Sequence, residues 1–416
     1  MSLRPGDVDL SDPDVFVAHG GPPHEYLRVL RREAPVHWNP PPVVQKTQGN
    51  IKQGFWVLAK YQDVMDVSRN PKVFSSAEGG PYIWDMDEAG LAGQRLTMLV
   101  MDPPQHVKYR RLVQRGFTPS MVAKLEPTIR QHARDIVDRV AKKGECEFVE
   151  DLASELPLTL ICELMGIPPE MRRQIFEWTN QLIGGDDADM KGVGSDPMAT
   201  AMKVWMYSNT LAAEKKAKPD DTLVSAFVNG SVEGEAISDL ELNNFFVLLA
   251  VAGNETTRNA TSQFMRLMSE HPEQWELLKS DVDRYLPGAI EEALRCAPPV
   301  VNFRRTALAD TELRGVRIAK GDKVYLSYPS ANRDEEIFGA DSMRFDIRRT
   351  ENPHLTFGIG EHFCLGANLA RMQLRSILRE VVTRLPDIAL TAKPAFQRSN
   401  FIAGIKRMPV RFTPEA

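Results

Sequence analysis

The stretch His354–Leu374, HLTFGIGEHFCLGANLARMQL, decides what this chain forms and carries its strongest functional signal. A glycine-rich turn leads to Cys364, and the apolar residues after it recur at the spacing of an amphipathic helix. We therefore expect Cys364 at a helix N-terminus, where the helix dipole and unpaired backbone N–H groups lower the pKa of a thiol and favour metal binding. Gly358, Gly360 and Gly366 would let the backbone approach a flat ligand closely.

Two other interpretations of Cys364 stay open at this point. The first is an inert, buried thiol, which is the usual fate of a free cysteine. Against it, the residue frequencies of this chain give only roughly 7 × 10⁻⁴ chance matches to the pattern F-x-x-G-x-x-x-C-x-G. The second is a zinc site made by His354, His362 and Cys364. Structural zinc usually takes four compactly spaced ligands, and the sequence offers no fourth candidate nearby.

The composition excludes several classes of protein. Of the 416 residues, 43% are hydrophobic and 26% charged, which is typical of a globular protein. The net charge of -5 lacks the basic excess of nucleic-acid binding, so we expect no nucleic-acid partner. Four cysteines without a C-x-x-C pair indicate a reducing compartment. Because the first residues, MSLRPGDVDLSDPD, are polar and acidic, we expect a cytoplasmic protein without a membrane anchor.

The chain shows no linker, repeat or low-complexity tract, so we expect residues 1–416 to form a single domain. Helical periodicity dominates its first two thirds. Strand-like runs occur at Phe55–Leu58 and at Val316–Leu326, the second around a hairpin turn at Lys320–Asp322. The predicted fold class is mainly α with small β-sheets, arranged as a helix-rich lobe and a smaller β-rich lobe.

One long helix is predicted in the second half of the chain. It begins at Ser238 with the capping box SDLE and runs without proline to His271. Its middle, Phe245–Gly253, is apolar all round and is therefore buried. The polar residues that follow, NETT at 254–257, either satisfy one another or line a wet cavity, since an unpartnered buried polar group is costly. Thr256 could also bond back to the carbonyl four residues earlier.

At these positions the chain resembles the cytochrome P-450 family, the haem-thiolate monooxygenases. FGIGEHFCLG at 357–366 matches the family's haem-binding loop, and AGNET at 252–256 is similar to its oxygen-binding segment. EALR at 292–295 resembles the family's E-x-x-R helix, and DSMRF at 341–345 resembles its later arginine segment, where proline is commoner at Ser342. The resemblance covers nearly the whole chain and implies the P-450 fold, with haem between the long central helix and the helix that follows Cys364.

The resemblance also implies roles for single residues. Cys364 would bind the haem iron, and Glu255 with Thr256 would form the acid–alcohol pair that delivers protons to bound dioxygen. Arginine and histidine donors would face the haem propionates. The full set of cofactor-contacting positions is His106, Arg110, Ala252, Gly253, Arg305, Phe357, Gly358, His362, Cys364 and Gly366. The substrate pocket, mostly apolar, would be lined by Leu248, Val251, Ala252, Val300, Val301, Phe401 and Ile402.

A structural network is implied as well. Glu292 and Arg295, three residues apart, lie on one face of a helix, where a guanidinium can pair with a carboxylate. An isolated glutamate–arginine pair with this spacing is usually a solvated ion pair on the protein surface. The resemblance instead implies a Glu-Arg-Arg network of Glu292, Arg295 and Arg344 beneath the cofactor.

The implied function is that of an enzyme that activates dioxygen at haem b and hydroxylates a lipophilic substrate. AGNETTRNA and NFRRTAL are similar to forms that oxidise steroids, terpenoids or branched lipids. Electrons would come from a separate ferredoxin and an NAD(P)H-dependent ferredoxin reductase, because no length remains for a flavin or iron–sulfur domain. We expect a monomer. A group of basic residues would attract an acidic ferredoxin, unless it is only a solvated face: Lys108, Arg110, Arg111, Arg115 and Arg371.

Three other functions remain as alternatives. A peroxide-driven haem peroxygenase could have the same fold, although the pair Glu255–Thr256 argues against it, since peroxide lessens the need for a proton relay. A non-catalytic haem sensor or carrier is the second alternative. The third is a redox-inert protein with a structural cysteine.

Overall fold

Helices carry most of the chain in the computed structural model, which describes residues 3–47, 49–191, 196–232 and 234–416. They are α1 (Pro13–Ala18), α2 (His24–Glu33), α3 (Tyr61–Ser68), α4 (Glu88–Gln94), α5 (Gln105–Val113), α6 (Pro119–Ala141), α7 (Glu155–Met165), α8 (Arg172–Ile183), α9 (Ala188–Lys191), α10 (Pro197–Ala217), α11 (Leu223–Val228), α12 (Asp239–Glu270), α13 (Pro272–Ser280), α14 (Val282–Cys296), α15 (Tyr328–Ala331), α16 (Glu335–Phe338) and α17 (Ala367–Arg384). Single turns of 3-10 or π geometry lie at Gln114–Phe117, Phe148–Ala153, Pro169–Met171 and Gly360–His362. The predicted mainly α fold class is confirmed.

The long helix α12 begins and ends where the sequence predicts. Ser238 is its N-cap, and the capping box is complete, because the Ser238 hydroxyl accepts from the Glu241 N–H while the Glu241 carboxylate accepts from the Ser238 N–H at 2.8 Å. Its 32 residues span about 48 Å at 1.5 Å per residue. Helices α7, α10, α14 and α17 pack against it, so its central turns lie inside the main apolar core.

The sheets are small. Their strands are β1 (Val36–Asn39), β2 (Phe55–Leu58), β3 (Phe74–Ser75), β4 (Glu145–Glu147), β5 (Ser231–Val232), β6 (Glu235–Ala236), β7 (Asn302–Ala307), β8 (Thr311–Leu313), β9 (Val316–Ile318), β10 (Lys323–Ser327), β11 (Ala389–Leu390), β12 (Ala395–Phe396), β13 (Ile405–Arg407) and β14 (Pro409–Arg411). The largest sheet has the order β1-β2-β10-β7-β3, with β10 parallel to β2 and antiparallel to β7. An apolar cluster beneath this sheet forms a second core.

The predicted hairpin at Lys320–Asp322 is wrong, although the turn itself exists. Gly321 has a φ of +90°, but β9 before it and β10 after it lie in different sheets. Strand β9 pairs instead with β8 across Arg314 and Gly315, which have φ values of +49° and +78°. A two-residue turn with two left-handed residues suits an antiparallel hairpin, so β9 finds its partner on the nearer side.

The helix α17 follows the cysteine and packs against α6, α12 and α14. It therefore fixes its own N-terminus against the long central helix. Among the described residues, we find no helix that combines the length and the apolarity needed to cross a membrane.

Candidate active site

Cys364 lies immediately before α17, on a loop that folds back on itself. Its N–H donates to the carbonyl of Phe357 at 2.8 Å, which closes the loop. Gly358 and Gly360 have φ values of +70° and +74°, in the region that favours glycine, so the turn requires both. A Cβ on Gly366, the N-cap of α17, would meet nothing within 4 Å. The loop therefore leaves open space beside the backbone next to the thiol.

The pKa of the free Cys364 thiol is raised, and burial is the cause. A hydrogen bond from the Gly366 N–H and the charges of Arg110 and Arg371 act in the opposite direction but do not outweigh it. The sequence-based expectation of a lowered pKa is thus wrong for the free thiol, because the helix terminus is a local feature whereas burial depends on the whole fold. A bound metal replaces the proton, so burial does not prevent thiolate ligation.

A strip of accessible surface runs along the middle of α12. Leu248, Ala252 and Thr256 are spaced four residues apart on one helix face, and Ala252 is exposed while the other two are half-buried. Val251 beside them is also half-buried. Several neighbours on the other faces are buried in the core: Leu249, Ala250, Asn254 and Glu255. Accessible residues at the centre of a core helix indicate an internal cavity, and this one is lined by apolar side chains and one hydroxyl.

Cys364 shows the same combination of enclosure and accessibility. Protein atoms surround the residue closely, yet part of its surface remains accessible. Because α17 packs directly against α12, the loop that carries the thiol leads into a helix that contacts the helix of the accessible strip. Gly253, next to the strip, faces the opposite way, since a Cβ there would lie 2.9 Å from Ile161 of α7. Glycine at 253 therefore lets α12 and α7 approach closely, and its expected contact with the cofactor stays a prediction.

Buried nitrogen donors without acidic partners mark another part of the site. Arg305 on β7 is 5% exposed; it donates to the Arg304 carbonyl at 2.9 Å, and no carboxylate among the described residues pairs with it. His106 on α5 is 1% exposed, and its Nδ1 has no partner in the described structure. Its ring lies 4.3 Å from that of His362, centroid to centroid. A buried guanidinium without an anion costs several kcal/mol, on the order of 3–5, so this cluster fits an acidic ligand.

The two imidazoles are uncharged at neutral pH. Burial, followed by the charge of Arg110, lowers the pKa of His106 to about 4. Burial and the charge of Arg305 lower the pKa of His362 well below its usual range. The His106 ring, whose Nδ1 has no partner in the described structure, can therefore donate an N–H to an acidic ligand, while Arg305 supplies the positive charge. The His362 ring beside it already meets the Ser76 hydroxyl and the Met101 backbone.

Arg110 contacts the cysteine loop rather than open space. Its guanidinium donates to the carbonyl of Glu361 at 3.1 Å and to that of Phe363 at 2.7 Å. These bonds tie α5 to the loop and use two of the five N–H donors of the guanidinium, so the expected contact of Arg110 with the cofactor stays a prediction. Phe357, also on the loop, stacks beneath the Arg371 guanidinium at 4.4 Å from the ring centroid.

Glu292 and Arg295 form a fully buried, two-pronged pair, with both N–O distances 2.7 Å. Arg295 also donates to the carbonyls of Asn332, Ser342 and Arg344 at 2.7–2.9 Å. The expectation that the Arg344 side chain completes the network is wrong. Its guanidinium is 59% exposed and lies 3.9 Å from Asp346.

The second arginine of the network is Arg349, whose Nε lies 3.3 Å from the Glu292 carboxylate. The segment around Arg344 turns so that its carbonyl, not its side chain, points at Arg295. Five residues later the chain has turned back towards α14, which brings Arg349 inward. Only the path of this loop distinguishes the two arginines, and the sequence pattern does not contain that path.

The network reaches the cysteine loop through two residues that sequence reasoning missed. Asn332, whose carbonyl accepts from Arg295, receives the Leu355 N–H at 2.7 Å and donates to the Thr356 hydroxyl at 2.9 Å. Thr356 in turn donates to the carbonyl of Leu294 on α14 at 2.7 Å. The next residue, Phe357, holds the Cys364 N–H. Hydrogen bonds, together with the peptide bond between Thr356 and Phe357, thus join Glu292 to the cysteine.

Glu255 and Thr256 point in different directions. The Thr256 hydroxyl donates to the Ala252 carbonyl at 2.7 Å, which is the local bond that the sequence left open. Glu255 is completely buried and pairs with Arg258, which donates to the Asn180 side chain at 2.8 Å. Burial raises the pKa of Glu255, although Arg258 opposes the shift. The spacing Glu255-x-x-Arg258 is a second E-x-x-R, and this signal could have predicted the pair.

His354 belongs to a different cluster from the cysteine. Its Nε2 lies 3.1 Å from Glu291, which also binds Arg371 at 2.7 Å. Burial acts to raise the pKa of Glu291, but the hydrogen bonds from Arg371 and His354 prevail and lower it to about 2. Across the described ranges, no group of three or more metal-ligating side chains lies together. The zinc interpretation finds no support.

The residues expected in the substrate pocket lie only partly together. Val300 forms a β-bridge with Ile402, and the Val301 N–H donates to the Phe401 carbonyl at 2.8 Å. Val301 itself is 1% exposed and packs into an apolar cluster, so its place on the pocket wall is corrected. Phe401 contacts two aromatic rings, Phe303 at 5.6 Å and Tyr82 at 4.9 Å between centroids.

These features define a class of protein. A thiol at the start of a helix, an apolar strip on the helix packed against it, and buried donors for acidic groups together fit an iron porphyrin with propionates. The class is that of the haem-thiolate proteins.

Comparison with known proteins identifies the family. The sequence model of the family described as Cytochrome P450 matches residues 171–386. The chain is 40% identical over 412 residues to a steroid C26-monooxygenase of Rhodococcus jostii, covering 98% of this chain and 85% of that protein. It is 41% identical over 413 residues to a methyl-branched lipid omega-hydroxylase of Mycobacterium tuberculosis, covering 98% and 95%. A Mycobacterium marinum cytochrome P450 in complex with pseudoionone matches with a TM-score of 0.88 and 38% identity, covering 99% of this chain and 100% of that one.

The chain belongs to the cytochrome P450 family. It is a monooxygenase that uses a haem-iron cofactor.

Proposed function

We propose that this enzyme hydroxylates a steroid, a terpenoid or a branched lipid, with haem b as its cofactor and dioxygen as its co-substrate. The observation that carries the proposal is the apolar strip on α12 beside the cysteine loop, because it offers a lipophilic molecule a surface near Cys364. Similar proteins are named for steroid and methyl-branched lipid oxidation, and one similar structure holds pseudoionone. All three ligand types are mostly hydrocarbon.

The residues of this chain fit the cofactor in separate ways. Cys364 would supply the thiolate ligand, and Arg305, His106 and His362 would bind the carboxylates. Ala252 is the small, exposed residue of the strip that would pack on the porphyrin face, with Phe357, Gly358 and Gly366 on the loop side. When bound, haem supplies the iron at which dioxygen is activated.

Thr256 and Glu255 would take part in proton transfer in different ways. The Thr256 hydroxyl uses its proton to bond Ala252, so its oxygen is free to accept a hydrogen bond from a water in the cavity. Glu255 has one oxygen held by Arg258 and the other, Oε1, without a described partner. A buried carboxyl whose pKa is raised can hold a proton, and its unpartnered oxygen can pass that proton to a buried water.

Electrons would come from a ferredoxin and an NAD(P)H-dependent ferredoxin reductase. Arg111 on α5 is exposed and can meet an acidic partner. Arg110 and Arg371 are already bonded to the loop and to Glu291, so their charges would act at a distance. The side chain of Arg115 lies outside the described residues. We further propose a cytoplasmic monomer in which residues 1–416 form one catalytic domain.

Turnover tests the proposal. Purified enzyme, ferredoxin, reductase and NAD(P)H are supplied with a steroid, an acyclic terpenoid and a methyl-branched fatty acid, and product is compared with NAD(P)H consumed. We expect a hydroxylated product from at least one substrate, formed in proportion to NAD(P)H. Hydrogen peroxide without reductant is the second arm. Product from peroxide alone, with none from the ferredoxin system, would identify a peroxygenase and overturn the proposal.

A further inference from the structure

The segment 76–86, here called the strap, crosses from the cysteine loop to the pocket residue Phe401. Near its start, the Ser76 hydroxyl lies 3.3 Å from His362 Nε2. Six residues further on, the Tyr82 ring contacts Phe401. The two ends of this path are residues of the candidate active site, so the strap forms part of its wall.

Buried cations of the largest sheet hold the strap in place. Lys323 on β10 is 1% exposed; its ammonium lies 2.6 Å from Asp85 and donates to the Ile83 carbonyl at 3.0 Å. The Arg304 N–H on β7 donates to the Pro81 carbonyl at 2.9 Å. A Cβ on Gly79 would lie 2.0 Å from the Arg304 guanidinium, so glycine is required there. The strap is therefore a fixed wall, and the side chains on it are held in defined positions.

Tyr82 is oriented by its neighbours on both sides. Its ring stacks on Trp84 at 4.2 Å with an interplanar angle of 8°, and it meets Phe401 edge-on at 4.9 Å and 78°. Protein atoms surround the Tyr82 ring, yet the residue is only half-buried. Cys364 is half-buried in the same way. Part of its surface thus faces an internal space.

The hydroxyl of Tyr82 has no hydrogen-bond partner among the described residues. Other enclosed tyrosines do have partners: Tyr61 donates to the Pro353 carbonyl at 2.7 Å, and Tyr26 accepts the Gly6 N–H at 3.1 Å. Burial raises the pKa of Tyr82, so its hydroxyl keeps its proton and remains a donor at neutral pH. The hydroxyl is accessible, so a ligand that enters this space can accept a hydrogen bond from it.

We propose that Tyr82 is a substrate-binding residue whose hydroxyl donates a hydrogen bond to a carbonyl or hydroxyl oxygen of the lipophilic substrate. This inference rests on the proposed function and narrows it to oxygen-bearing lipids. The surrounding rings of Trp84, Phe401 and Phe303 would pack on the hydrocarbon next to that oxygen. A hydrogen bond at this fixed position would set which end of a long substrate enters first, and therefore which carbon is oxidised.

Ligand binding to the haem-loaded enzyme tests this role. Two pairs of ligands are titrated, a ring-ketone steroid with its deoxy counterpart and an acyclic branched ketone with its deoxy counterpart, and Kd is read from the low-to-high-spin shift. In at least one pair, wild type should bind the ketone about tenfold more tightly than the deoxy compound. Tyr82→Phe should lose this preference while its Kd for the deoxy compound stays within about twofold. Tyr285→Phe, which removes a phenol oxygen on α14, outside the strap, should behave as wild type.

Other outcomes separate this inference from the proposed function. If wild type binds both members of each pair equally, or if Tyr82→Phe keeps the preference for the ketone, the role of Tyr82 is overturned and the proposed function stands. If Tyr82→Phe weakens the binding of the ketone and of its deoxy counterpart equally, Tyr82 only packs on the substrate as part of the pocket wall, and the inference fails. No spin shift with any of the four ligands in wild type would overturn both proposals.

Discussion

Replacing Arg349 by methionine tests whether the buried network around Glu292 is built as described. The Arg349 side chain is 10% exposed, and it donates to the carbonyls of Phe338 and Asp341 at 3.3 and 3.1 Å besides contacting Glu292. Each lost hydrogen bond to or from a charged group lowers the free energy of unfolding by about 1.5–3 kcal/mol. Glu292 keeps both bonds to Arg295, so no charge is left unpaired. We therefore expect a loss of at least about 2 kcal/mol in the free energy of unfolding.

Arg344→Met is the matched control. The Arg344 guanidinium is 59% exposed, and substitutions of such surface groups usually change stability by less than about 0.5 kcal/mol. Urea unfolding of the haem-loaded proteins, followed by far-ultraviolet circular dichroism and by the haem absorbance, measures both variants. Equal losses in the two variants, or a larger loss for Arg344→Met, would refute the assignment of Arg349 as the second arginine.

Two further predictions concern protons. Thr256→Ala removes the hydroxyl of the accessible strip without touching the core, so haem content should stay normal while at least about half of the NAD(P)H consumed yields peroxide rather than product; coupling equal to that of wild type would remove Thr256 from the mechanism. The lowered pKa of Glu291, about 2 against an ordinary 4.5, means that this carboxylate stabilises the fold fully above pH 4.5 and loses that effect as the pH falls towards 2. Glu291→Gln should therefore be less stable than wild type at pH 6 and should show a flatter loss of stability between pH 4.5 and 2 in circular dichroism, whereas an unchanged slope would contradict the ion pair with Arg371.

The elements that the sequence predicts well are those whose cause is local. The capping box at Ser238 satisfies the first turn of α12 from four adjacent residues, so the start of the helix is visible in the sequence. The loop before α17 needs two left-handed glycines at fixed spacing from Cys364, and that spacing is also local. A resemblance carried by such segments therefore transfers reliably to the structure.

The features that the sequence does not predict depend on contacts between segments that are distant in the chain. Arg344 and Arg349 look equivalent in sequence, and the path of one loop decides which of them reaches Glu292. The pKa of Cys364 is raised by burial, which is a property of the whole fold, against a helix terminus that the sequence does show. The position of Tyr82 follows from cations on two strands more than two hundred residues later in the chain. Pattern and periodicity contain none of these distances.

The central claim is that Cys364 is the iron ligand, and the spectrum of the reduced protein under carbon monoxide tests it most directly. Wild type and Cys146→Ser, which alters a half-buried cysteine on β4, should both give the strongly red-shifted Soret band of a thiolate-ligated haem. Cys364→Ser should lose that band. A red-shifted band that persists in Cys364→Ser, or an unshifted band in wild-type protein with full haem content, would contradict the ligand assignment.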